Sequence, residues 1–127
     1  MSLFDHLTLK TTRFAKMVAF YEAALAPLGV KKLFSVERPE GGVAGFGQSR
    51  AELFIAAIQG AQPTPLHVAF CASNHEEVAA FHGAAVAAGG TDNGLPGLRP
   101  KYHEAYFAAF VIDPAGNNVE AVFHGAT

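Results

Sequence analysis

Three residues of this 127-residue chain combine types and placements suited to holding a metal ion: His6, His67 and Glu120. Imidazole and carboxylate are donors for first-row divalent ions. Two imidazoles and one carboxylate leave positions open for water and substrate, the composition of a catalytic rather than a structural site. Iron, manganese, zinc, nickel and cobalt all suit such a set, and ligand type does not choose among them. His6 and His67 are each predicted in the middle of a short strand, on the face opposite the aliphatic residues that would pack under a helix. Glu120, in Asn118-Val-Glu-Ala-Val-Phe-His124, alternates against Val119 and Ala121 and shares a face with Val122 and His124.

The elements that must position these residues occur twice. Residues 3–9 read as a strand, Thr11-Thr12 as a cap, and residues 13–26 as a helix with the stripe Phe14, Met17, Val18, Tyr21 and Leu25, ended by Pro27 and Gly29. Strands follow at about 31–37, 42–47 and 52–58. The order then restarts with a strand at 66–71, Ser73 or Asn74 as cap, and a helix over 75–88 stopped by Gly89-Gly90. A long Gly/Pro-rich loop over 91–104 follows, then strands at 105–112 and 118–124 with Asp113-Pro-Ala-Gly116 turning between them. A shift of 61 residues lays His6 on His67, Phe20 on Phe81, Leu25 on Val86 and Gly29 on Gly90. The chain therefore reads as one domain of two repeated modules, about 1–60 and 65–127. If they pair symmetrically, the two histidines converge across a shared concave sheet.

Composition excludes several classes. Hydrophobic residues make up 50% and charged residues 16%, which argues for a packed core and against disorder. A net charge of −2 with scattered basic residues gives no footprint for nucleic acid. No stretch approaches the roughly 20 apolar residues of a membrane span. The N-terminus lacks a signal-peptide pattern, so a cytoplasmic location is expected. Cys71 is the only cysteine, so neither an intrachain disulfide nor a cysteine-rich zinc site can form. It reads as a small buried residue, and His75 and His82 read as helix-flank residues.

Four segments together resemble the vicinal oxygen chelate superfamily, which contains glyoxalase I, bleomycin-resistance proteins, fosfomycin-resistance transferases and extradiol dioxygenases. They are Asp5-His6-Leu-Thr-Leu9, Phe20-Tyr21-Glu-Ala-Ala-Leu25, Leu66-His67-Val68 and Asp113-Pro-Ala-Gly-Asn-Asn-Val-Glu120. The resemblance implies an α+β fold of two βαβββ modules forming a cupped mixed sheet, and a homodimer. By the same resemblance His6, His67 and Glu120 match the ligands of a divalent metal that polarises oxygens of a small substrate. Glyoxalase I-like members take a fourth ligand from the first module. Aligning Gly47 with Asp113 puts Phe54 opposite Glu120, and Phe54 cannot bind metal; Glu52 lies two residues earlier. The loop Gly94-Leu-Pro-Gly-Leu-Arg-Pro-Lys-Tyr102 resembles a widespread short subgroup whose substrate the resemblance does not name.

The expected function is a metal-dependent lyase, isomerase or dioxygenase acting on a small oxygen-rich molecule. The alternative is a metal-free protein that binds a small or antibiotic-like ligand, as bleomycin-resistance proteins do. Tyr106 is expected to reach the metal site with its hydroxyl, and His124 to serve as general acid or base. Arg99 is the expected clamp for a carboxylate or phosphonate. Lys101, Tyr102 and His103 belong to the same loop, and Phe46 and Phe54 are expected to line the cup.

Overall fold

A computed structural model describes residues 3–39 and 41–125. The first module runs β1 (Leu7–Thr11), α1 (Phe14–Leu25), a short 3-10 turn (Ala26–Leu28), β2 (Lys31–Arg38), β3 (Gly41–Gly47) and β4 (Ala51–Ala57). The second runs β5 (His67–Cys71), α2 (His75–Ala87), β6 (Thr91–Leu98), β7 (Phe107–Ile112) and β8 (Asn118–Phe123). Each module makes a four-stranded sheet, ordered β1-β4-β3-β2 in one and β5-β8-β7-β6 in the other. In both, the first strand runs parallel to the last and the other pairs are antiparallel. The fold is α+β, with two modules of the expected βαβββ order.

One hydrophobic cluster joins the modules. Helix α1 buries Met17, Val18, Tyr21, Ala24 and Leu25, and also Phe20. Phe20 is buried because α1 packs on α2 as well as on its own sheet. A Cβ on Gly90 would come within 2.6 Å of the Phe20 ring, so glycine lets the ring close on the second module. Tyr21 crosses the same boundary. Its hydroxyl donates to Asp113 Oδ2 at 2.6 Å, and burial, then Asp113, pushes its phenol well above the ordinary range. Asp113 also accepts from the backbone N–H of Ala115 and Asn117 and from the Asn117 side chain, and Asn117 Oδ1 accepts from Leu66 N–H. The turn after β7 is thus a buried polar latch that holds the entry to β5.

Several expectations need correction. His6 precedes β1 and His67 opens β5; neither stands mid-strand. Thr11-Thr12 supply no side-chain cap to α1: Arg13 is the capping residue, and Thr11 Oγ1 accepts from Arg13 N–H. Asn74 does cap α2, accepting from Glu77 N–H, while the Glu77 side chain accepts from the N–H of Ser73, one residue before the cap. Most of the expected 91–104 loop is strand β6, paired with β7 through register shifts at Gly94 and Gly97. Proline and glycine are tolerated there because β6 is an edge strand with bulges. Cys71 is exposed rather than buried.

Candidate functional site

In the second module, β5 and β8 pair with His67 opposite Asn118 and Ala69 opposite Glu120. That two-residue diagonal puts His67 and Glu120 on one face. His67 Nε2 and Glu120 Oε1 share a hydrogen bond of 2.5 Å. The Glu120 side chain is 2% exposed, against 56% for His67. The second carboxylate oxygen accepts from the Tyr106 hydroxyl at 2.6 Å. A buried carboxylate needs such partners, and here both oxygens have them. Desolvation, then the bond to Glu120, raises the Tyr106 phenol to about 12, so it remains a neutral donor at neutral pH. Phe110 stands opposite Glu120 on β7, with its ring centroid 6.2 Å from that of His67.

The segment after β6 forms a rim around this centre. Arg99 donates to the carbonyls of Leu95, Gly97 and Leu98, and its guanidinium lies 5.3 Å over Phe110. These bonds brace its own segment. Lys101 Nζ lies 5.3 Å over the exposed Tyr102 ring. His103 Nδ1 accepts from Ala105 N–H, so its Nε2 carries the hydrogen and donates to His124 Nδ1 at 2.7 Å. The His124 ring meets Tyr106 edge-on at 5.0 Å, and its Nδ1 is bonded to His103 rather than aimed at Glu120.

In the first module, His6 occupies the place equivalent to His67. Thr8 pairs with Phe54 as Ala69 pairs with Glu120, so Phe54 takes the carboxylate's position and meets the His6 ring edge-on at 5.4 Å. His6 Nδ1 bonds to Asp5 Oδ2 at 2.8 Å, and Arg50 Nη2 pairs with Asp5 Oδ1 at 2.9 Å. The His6 bond, then Arg50, holds the Asp5 carboxyl below the ordinary carboxylate range. Phe46, expected in the cup, is fully buried against Tyr21 on the helix-covered face.

Asp5 and Arg50 were not picked out from sequence, although a carboxylate directly before a candidate ligand histidine is a usable signal. Tyr21 and Asp113 likewise hid in an apolar stripe and a turn.

A hollow of about 470 Å³ opens between the two modules, with Asp5, His6 and Glu52 on one side and Leu66, His67 and Phe70 on the other. Among the described residues, no three His, Cys, Asp or Glu side chains stand together as a ready metal site. His67 and Glu120 are bonded to each other, and His6 lines the hollow on the side opposite His67. Among the described residues no helix is long and apolar enough to cross a membrane.

The family model described as Glyoxalase/Bleomycin resistance protein/Dioxygenase superfamily matches residues 3–121. A glyoxalase/bleomycin resistance protein from Albidiferax ferrireducens is 26% identical with a TM-score of 0.77, over 96% of this chain and 98% of that one. A glyoxalase-related enzyme from Fulvimarina pelagi is 20% identical at TM-score 0.71, over 97% and 88% of the two chains. A mutant glyoxalase I from Zea mays is 23% identical at TM-score 0.71, over 94% of this chain and 46% of that one. No curated protein sequence matches. With most of its length covered by the family model and both modules in the expected strand order, the chain belongs to the glyoxalase/bleomycin resistance protein/dioxygenase superfamily.

Proposed function

We propose that this protein is a metal-dependent enzyme of glyoxalase or dioxygenase type acting on a small oxygen-rich molecule, with a centre built from His67 and Glu120 of one copy and His6 of a second. The observation that carries this reading is the buried Glu120 carboxylate, bonded to His67 on one oxygen and Tyr106 on the other. The donors fit a divalent ion in type, since imidazole nitrogen and carboxylate oxygen are both ligands of first-row divalent ions, and they already face each other through a shared hydrogen bond. They do not fit in number within one chain, because no third donor joins them among the described residues. A second copy supplies the missing imidazole. Exposed Phe34, Val36, Leu95 and Leu98 also favour a homodimer that covers apolar surface.

Bound iron, manganese, zinc, nickel or cobalt would supply Lewis-acid polarisation of substrate oxygens. The chain's own residues then divide the remaining work. Tyr106 fixes the Glu120 carboxylate with a proton that it does not lose at neutral pH. Phe54 and Phe110 wall the site with apolar rings. Lys101 and Tyr102, exposed on the rim, orient the substrate, and the His103–His124 pair offers an exchangeable proton beside Tyr106. A cytoplasmic setting belongs to this reading.

Elemental analysis of protein purified without chelator or nickel column tests it. Stoichiometric divalent metal in the wild type, lost in Glu120→Ala, is expected; metal-free wild type would overturn it. One observation favours a second reading. Leu7, Leu53, Leu66, Val68 and Phe70 give the inter-module hollow an apolar lining, which would suit sequestration of an apolar ligand without metal. Ligand binding that survives chelation would select that alternative.

A further inference from the structure

The two candidate histidines are held in opposite ways. His67 uses Nε2 toward Glu120, and the residue before it is Leu66, which has no polar side chain. His6 uses Nδ1, held from behind by Asp5 Oδ2 at 2.8 Å. A carboxylate accepts, so Nδ1 carries the hydrogen, and in the neutral ring Nε2 then keeps its lone pair. A solvated neutral imidazole favours the other arrangement, with the hydrogen on Nε2. Asp5 is itself clamped: Arg50 Nη2 pairs with Oδ1 at 2.9 Å and donates to the Asp5 carbonyl at 3.2 Å. Arg50 lies in the turn that leads into β4, the strand that also brings Phe54 edge-on to the His6 ring. The segment before β1 and the turn before β4 thereby fix one ring.

We propose that Asp5 and Arg50 are positioning residues that lock His6 in its Nδ1–H form and leave Nε2 as an open donor. What that donor grips rests on the metal-centre reading above; the lock itself does not. The side chains of Asp5, His6 and Arg50 are 70%, 51% and 56% exposed. Exposed ion pairs contribute little to folding, so a purely structural role for this chain of contacts has little to act on. Carboxylates behind ligand histidines are known to set ring tautomer and donor strength, and their loss weakens metal binding about tenfold to a hundredfold.

The test reads the His6 ring nitrogens directly. Nitrogen-15 NMR is recorded above the imidazole titration range on metal-free wild type, Asp5→Ala, Asp5→Asn and Arg50→Ala, alongside calorimetric titration with zinc(II) and manganese(II). The wild type is expected to show Nδ1–H, Asp5→Ala to move toward Nε2–H, and Asp5→Asn to keep the wild-type form, because its amide oxygen still accepts. Arg50→Ala is expected to fall between them. Metal affinity is expected to drop at least about tenfold in Asp5→Ala, with unchanged melting temperature. A wild-type His6 in the Nε2–H form, or a tautomer unmoved by Asp5→Ala, overturns the lock. The locked tautomer in a protein that binds neither metal would uphold the lock and overturn the metal centre. Metal binding that needs His6 but ignores Asp5→Ala, with the tautomer also unmoved, would do the reverse.

Discussion

The two modules share one topology and one histidine position, yet they build different surroundings for it. In the second module, His67 faces a buried carboxylate that Tyr106 also holds, and the closing turn folds Asp113 and Asn117 into the core. In the first, His6 faces Phe54, its partner Asp5 lies behind it at the surface, and the turn before β4 contributes Arg50 outward. The two modules share a backbone register, and at the equivalent position one carries the acid Glu120 and the other Phe54. Around its histidine the first module therefore sets an aromatic ring and an exposed ion pair, and the second sets a buried carboxylate. Accordingly, neither module alone brings three donors together among the described residues.

The comparison breaks most visibly at the turns. Asp113→Ala removes four accepted hydrogen bonds and strands the buried Tyr21 hydroxyl, so a loss of about 3–5 kcal/mol is expected in denaturant unfolding. Arg50→Ala, in the equivalent turn, is expected to cost under about 0.5 kcal/mol. A smaller test makes the modules alike. Phe54→Glu places a carboxylate where Glu120 stands in the second half, and zinc(II) affinity by calorimetry is expected to rise about tenfold, or about 1.4 kcal/mol.

Tyr106→Phe removes one of the two partners of Glu120 and is expected to destabilise by about 1 kcal/mol. Because the folded phenol ionises only near about 12, above its ordinary value of 10.0, its bond contributes fully below pH 10.0 and is lost as pH rises toward about 12. In alkaline titration of tyrosinate absorbance, Tyr106→Phe should therefore lose the step at about 12 and keep the late ionisation of buried Tyr21. Smallest is the contrast between helix starts. Asn74→Ala is expected to cost about 1 kcal/mol by removing the cap of α2, whereas Arg13→Ala removes no side-chain cap from α1 and should stay within about 0.5 kcal/mol. Thermal melting of the two variants checks this.

Much of this architecture was legible in the chain because the repeat is written in residues with few substitutes. His6 and His67, Phe20 and Phe81, and Gly29 and Gly90 fall on one shift of 61, which reads the chain as two repeated modules. The βαβββ order is what the family resemblance implies, and aligning the turn at Gly47 with the turn at Asp113 gives the Phe54–Glu120 equivalence seen in the strand registers. Strand β6 was hidden because Gly94, Pro96 and Gly97 are read as loop formers, while bulges on an edge strand accept them. The face of Phe46 was misread for a related reason. In Gly-Gly-Val-Ala-Gly-Phe-Gly the small residues give no alternation by which to choose a side, and four consecutive positions from Ala44 to Gly47 are buried. The pairs Arg50–Asp5 and Tyr21–Asp113 join residues 45 and 92 positions apart, and no local pattern encodes such meetings. Asp113 was visible as a turn former, but its burial depends on a helix in the other module.

Whether two copies complete one site is decided by complementation. His6→Ala chains keep His67 and Glu120, and Glu120→Ala chains keep His6, so a mixed dimer contains one full donor set if the donors come from different copies. Each variant alone should be free of divalent metal, and co-expressed chains separated by differential tags should regain a substantial part of the wild-type content in the mixed species. A loaded wild type with a metal-free mixed dimer would contradict a centre shared between copies.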